Sequence, residues 1–175
     1  MDTFIEQIVA KRKGGKEIGI ILLTVIFGTI FLLSLTMLMM TQTLLVSLVP
    51  FVWIGVIFGA WWIITQQNIE FEYCITNGDI DIDVIISRRR RKRIVSVRGS
   101  KIEDAGKYRP EQWQNRKVDR FVMTASSLSA ENLRYFTYHS KKRGQTLVVF
   151  EPNERVSDEF RKGLSGPVRM VWDKD

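Results

Sequence analysis

At 175 residues and a net charge of +7, the chain has room for one small domain and a membrane anchor, but not for two sizeable cores. Its mean hydropathy of −0.04 looks soluble, yet no Asp, Glu, Lys, Arg or His occurs from Ile18 to Ile69. The one cysteine, Cys74, excludes an internal disulfide framework.

Residues 1–16 form a basic N-terminal segment. Phe4, Ile5, Ile8 and Val9 recur at helical spacing, and Asp2 or Thr3 is placed to cap them. This predicts a short amphipathic helix lying in the membrane interface, with Lys11, Arg12 and Lys13 on lipid phosphates. A disordered tail is the alternative.

A bilayer core needs roughly 20 apolar residues in a helix. The uncharged run is more than twice that, so it must turn back once. The polar break is Thr41-Gln42-Thr43, which predicts one helix near Ile18–Met40, a second near Leu44–Thr65, and a transmembrane hairpin over 17–66. A signal peptide does not explain a first run this long followed at once by a second. Lys and Arg flank both outer ends and are missing from the connecting turn. Both termini are therefore expected in the cytoplasm of a multi-pass cell-membrane protein. Trp61 and Trp62 suit an interface. Gly55-x-x-x-Gly59 permits close helix packing, against the first helix or as a homodimer face.

From Glu70 the pattern changes. Ile69, Phe71, Tyr73 and Ile75 alternate with polar residues, as do Ile80, Ile82, Val84 and Ile86. Asn77-Gly78 between them is a strong hairpin signal. A two-residue turn pairs Thr76 with Asp79, Ile75 with Ile80, Tyr73 with Ile82 and Phe71 with Val84, so every large apolar group lands on one face. A third strand is expected over Arg91–Arg98, with Val95 and Val97 on the core side. Gly99–Lys117 reads as irregular, with a helical turn near Pro110–Gln114. Further strands read as Asp119–Ala125, Leu133–His139 and Gln145–Glu151. Asn153 can cap a helix bearing Val156, Phe160 and Leu164, and Val168, Met170 and Trp172 alternate as in a last strand. The fold class is α+β: a helical membrane hairpin, then a small antiparallel β-barrel or sandwich over 69–175, closed by a C-terminal helix.

Tyr73-x-Ile75-Thr76-Asn77-Gly78-Asp79-x-Asp81, the Arg-rich turn, and the strand holding Ile94-x-x-Val97 resemble the opening of bacterial pleckstrin-homology-like (PH-like) domains. Those often follow a two-helix membrane anchor. Phe150-Glu151-Pro152-Asn153-Glu154 before a helix is similar to a family of small bacterial membrane proteins. The resemblance implies a seven-stranded barrel capped by a helix, and no particular ligand. Six strands are legible.

The conspicuous candidate site is Arg88-Arg89-Arg90-Arg91-Lys92-Arg93. If the first strand leaves the membrane, the second returns toward it, and this turn meets anionic headgroups. The alternative is a purely topogenic role. Asp79, Asp81 and Asp83, with Glu72 nearby, share the face away from the apolar one. They do not make a calcium loop, because Val84 and Arg90 stand where glycine and glutamate are required. A solvated acidic face is expected, with cations from the third strand or the 141–143 turn. His139, the one histidine, and Cys74 lack identifiable partners, and no nucleotide-binding, protease or metal motif occurs. The expected function is a non-enzymatic, membrane-tethered interaction module for anionic lipid or a protein, with no cofactor and no nucleic acid. An accessory subunit of a transport or export complex, and an enzyme acting at the membrane, are the alternatives.

Overall fold

In the computed structural model, residues 3–41, 46–113 and 116–174 are described. The chain divides into two compact units, Lys13–Asn68 and the pairing of Met1–Arg12 with Ile69–Asp175.

The first unit is helical. Helix α1 spans Gly15–Met40, and α2 spans Val49–Thr65 after a 3-10 turn at Val46–Leu48. At 1.5 Å per residue, the 26 residues of α1 extend about 39 Å, and both helical segments are long and apolar enough to cross a bilayer. Helix α1 starts where Gly14 N–H donates to Glu17 Oε2 at 3.0 Å, a side chain meeting an orphan donor of the first turn. The hydroxyls of Thr24 and Thr29 bond back to carbonyls one turn earlier, which suits polar groups in an apolar helix. Trp53 Nε1 donates to Thr36 Oγ1 at 3.0 Å, from one helix to the other. The glycine at the helix contact is Gly28, where a Cβ would lie 4.0 Å from Val56 Cγ1; at Gly55 and Gly59 it would meet nothing within 4 Å. The expected packing of Gly55 and Gly59 against the first helix is thus corrected. Residues 42 and 43 of the expected turn lie outside the described residues.

Among the described residues the second unit holds eight strands: β1 Phe4–Ala10, β2 Ile69–Thr76, β3 Asp79–Ile86, β4 Arg90–Val97, β5 Ile102–Lys107, β6 Arg120–Met123, β7 Arg134–Ser140 and β8 Gly144–Phe150. They form two four-stranded sheets, ordered β1-β2-β3-β4 and β5-β7-β8-β6. Three further helices are α3 Pro110–Trp113, α4 Glu154–Gly163 and α5 Gly166–Lys174.

The β2–β3 hairpin has the expected register, from Thr76↔Asp79 to Phe71↔Val84. Asn77 and Gly78 turn it with φ of 51° and 82°, the left-handed pair such a turn requires. Its inward residues Tyr73, Ile75, Ile80 and Ile82 are fully buried and pack with Phe136, Phe150 and Phe160. Asn153 Oδ1 accepts from Val156 N–H at 2.9 Å, starting α4, whose Val156 and Phe160 are buried in the same core.

Several expectations are corrected. The opening residues form β1, paired with β2 from Phe4↔Thr76 to Ala10↔Glu70, and not an interfacial helix or a tail. Ile5 and Val9 lie four apart, a spacing that both periods place on one face. The same ambiguity misreads the C-terminus: Val168 and Trp172 are buried on α5, while Met170 is 68% exposed. Strand β5 falls in the stretch read as irregular, because a register shift between Ile102 and Asp104 and the small Ala105 and Gly106 erase its alternation. The second sheet is mixed, since β6 runs parallel to β8. The two sheets do not close into the seven-stranded barrel that the resemblance implied.

Candidate functional site

The ladders Ala10↔Glu70, Ile69↔Ile86 and Ile86↔Arg90 bring the end of β1, the start of β2, the end of β3 and the start of β4 to one end of the first sheet. Lys11 N–H donates to Ile69 O at 2.9 Å, extending that ladder past β1. Arg12 N–H donates to Ser126 O at 2.9 Å, which adds the turn after β6 to the same end. There Ser129 N–H bonds to Ser127 Oγ, and Leu128 between them is 61% exposed. No sequence signal marked this apolar tip. Lys11, Arg12 and the Arg88–Arg93 run are therefore gathered at one end of one sheet. Lys13 belongs to the helical unit.

The connection from β3 to β4 holds Ser87 and Arg88 at φ of 54°. That region costs residues with a Cβ about 1–2 kcal/mol each. Arg88, with a side chain 85% exposed, pairs with Glu70 at 3.1 Å. The next residues divide by strand alternation. Arg91 pairs with Glu72 and, at 2.9 Å, with Asp83; Arg93 pairs with Asp81 and Asp83, each at 2.9 Å. Glu72 and Asp83 are buried. Glu72, Asp81 and Asp83 thus form an ion-paired layer under two half-exposed guanidinium groups, not the solvated face expected, and only Asp79 of that row stays exposed. The third strand supplies those cations. Hydrogen bonding to Asp83, then the charges of Asp81 and Asp83, push the Arg93 guanidinium further up, so it stays charged.

A bulge sets this division. Ile82 pairs with Val95 but Asp83 with Arg93, leaving Ile94 as the extra residue. Without it, alternation from Val95 and Val97 would turn Arg91 and Arg93 toward the core side. With it, they meet the acids, while Arg90 and Lys92 take register positions opposite Ile86 and Val84. The side chains of Arg90 and Lys92 are exposed, and no carboxylate among the described residues lies within ion-pair distance of either. The cations of this run therefore have two roles. Arg91 and Arg93 neutralise the buried acids and Arg88 pairs with Glu70, whereas Arg90 and Lys92 present charge at the sheet end without a carboxylate partner among the described residues.

Cys74 lies between Glu6 and Asp81 in the register. Burial first, then the charges of Glu6, Asp83 and Asp81, push its thiol up, which disfavours the reactive thiolate. His139 sits exposed near the end of β7. Among the described residues no three His, Cys, Asp or Glu side chains come together as metal ligands.

Neither the curated proteins nor the solved structures contain a match to this chain. One family model does match, over residues 1–170, nearly the whole length. It covers the helices as well as both sheets, and its description agrees with the PH-like resemblance of the hairpin and Arg-rich turn. The chain belongs to the bacterial PH-like domain family DUF6106.

Proposed function

We propose that this protein is a non-enzymatic interaction module whose two apolar helices span the cell membrane, with both termini cytoplasmic, and whose PH-like domain contacts anionic lipid through the basic end of its first sheet. One observation carries this reading. The chain leaves the β unit after Arg12 and re-enters it at Ile69, and both points lie at the sheet end that holds Arg88–Arg90 and Lys92. A tether attached there keeps those cations within reach of the surface it is anchored in. Each contributes roughly 1 kcal/mol close to an anionic leaflet, and the tether replaces a bimolecular step by a local one. Guanidinium groups also suit bidentate contact with phosphate. The exposed Leu128 at the same end favours an interfacial setting.

The test must spare the structural arginines. In full-length protein in nanodiscs, amides 87–92 should exchange more slowly with anionic than with zwitterionic lipid. The triple variant Arg89→Gln, Arg90→Gln, Lys92→Gln should abolish that difference, as should high salt. Equal exchange in the two lipids for the wild-type protein would reject lipid contact. A second reading, an accessory subunit of a transport or export complex, draws on the open small-residue face at Gly55 and Gly59. Co-purification of a stoichiometric partner in mild detergent, lost in Gly55→Leu, would favour it.

A further inference from the structure

At the opposite end of the first sheet a second surface stands apart from the basic turn. A groove of about 800 Å³ runs between Ser96, Val97 and Arg98, where β4 ends, and Tyr138–Lys141, where β7 turns into β8. Such a volume is in the range of ligand-binding clefts. It lies where a closed barrel would have continued its hydrogen bonding. Strand β4 is the edge of its sheet, and β5 reaches β7 only as far as Ile102↔Tyr138, so His139 and Ser140 extend beyond the start of β5.

Edge strands are ordinarily protected by charge or by bulges. Here both devices sit in β4 up to Ile94: the cations Arg90–Arg93, and the bulge at Ile94. The remainder, Val95-Ser96-Val97, carries neither charge nor bulge, and Ser96 and Val97 line the groove. The groove's charges are also unequal in their commitments. Asp79 accepts from Gly99 N–H at 3.1 Å, and Asp81 is held by Arg93. Arg98, Lys101 and Lys141 have no carboxylate within ion-pair distance among the described residues. The groove therefore offers an unprotected strand edge framed by uncommitted cations.

We infer that this groove receives an extended, acidic segment of a protein partner, which adds as a strand beside Val95–Val97 with its carboxylates on Arg98, Lys101 and Lys141. Main-chain hydrogen bonds would supply affinity, and charge would select the segment. The site is separate from the lipid-facing end and does not rest on that reading.

The probe is an eight-residue peptide alternating glutamate and valine, added to full-length protein in zwitterionic nanodiscs, where anionic lipid plays no part. Amide exchange at residues 94–98 should slow at least tenfold at saturating peptide. Replacing each valine of the peptide by proline, which removes strand donors, should reduce the effect below twofold. A lysine–valine peptide should do the same. The exposed double substitution Lys101→Glu, Lys141→Glu should weaken binding of the acidic peptide at least tenfold, while amides in β2 and β3 keep their protection. The inference is overturned by three results: no protection from the acidic peptide at millimolar concentration, equal protection from its proline form, or equal protection from inorganic phosphate. The last two would leave a groove that takes anions without pairing a strand.

Discussion

Substituting Gly163 by alanine tests how α4 is held against the β2–β3 hairpin. Three glycines meet there: Gly78 in the turn, Gly99 after β4, and Gly163 at the end of α4. A Cβ on Gly163 would lie 2.1 Å from Gly78 O and 2.5 Å from Gly78 Cα. A Cβ on Gly99 would lie 2.5 Å from both Gly163 O and Gly78 O. The neighbours are backbone atoms, so no rotamer change relieves the clash, and the helix end must retreat by about 1 Å. Two effects oppose each other. Alanine is favoured over glycine in a helix interior by about 1 kcal/mol, with less gain at a terminal residue. Overpacking against fixed atoms costs about 1–3 kcal/mol and should win. Gly166→Ala is the control, because a Cβ there meets nothing within 4 Å. In full-length protein in detergent, Gly163→Ala should speed amide exchange across Ile75–Ile82 by roughly 5- to 150-fold, while Gly166→Ala leaves it unchanged or slower. Equal effects of the two substitutions, or greater protection in Gly163→Ala, would refute this account of the contact.

Two further outcomes follow from buried polar groups. Tyr73 Oη donates to Thr124 O at 2.6 Å and accepts from Glu151 N–H at 3.2 Å. Burial raises its pKa, so it remains a neutral donor, and Tyr73→Phe should cost about 1–3 kcal/mol in thermal or urea unfolding of the β unit. Glu159 is bonded by Lys162 Nζ at 2.8 Å and by the Thr3 hydroxyl, which hold its carboxyl below the usual value of 4.5. A depressed folded pKa means stability that is present above 4.5 and is lost as pH falls through the lower folded value. Exchange at the start of β1 should therefore accelerate on acidification below pH 4.5, and Glu159→Gln should remove that step. A β1 that frays equally in both proteins across the range would refute the link.

Legibility in the sequence depended on segment length and on local rules. The β2–β3 register was readable because two alternating eight-residue segments flank Asn77-Gly78, and a slip of one would turn Ile75, Ile80 and Ile82 out of the core. The helical pair was readable from missing charge alone. Shorter segments were not. Ile5 and Val9, or Val168 and Trp172, are spaced by four, which fits a strand and a helix equally, so only a partner decides. β1 finds one in β2; α5 instead buries Trp172 beside Phe150 and Phe160. The parallel pairing of β6 with β8 is a contact between distant segments with no local mark.

The candidate site shows the same limit at the scale of one residue. Composition established that six cations follow the hairpin and that five acids line the strands before it. Which cations neutralise those acids and which remain for a partner depends on the bulge at Ile94, which reverses the phase of β4 upstream of it. Alternation along a strand is a local property and is written in the residue order. The phase of one strand against its neighbour is set by which side chains the packed sheet can bury or pair, and that was decided only when the sheet formed.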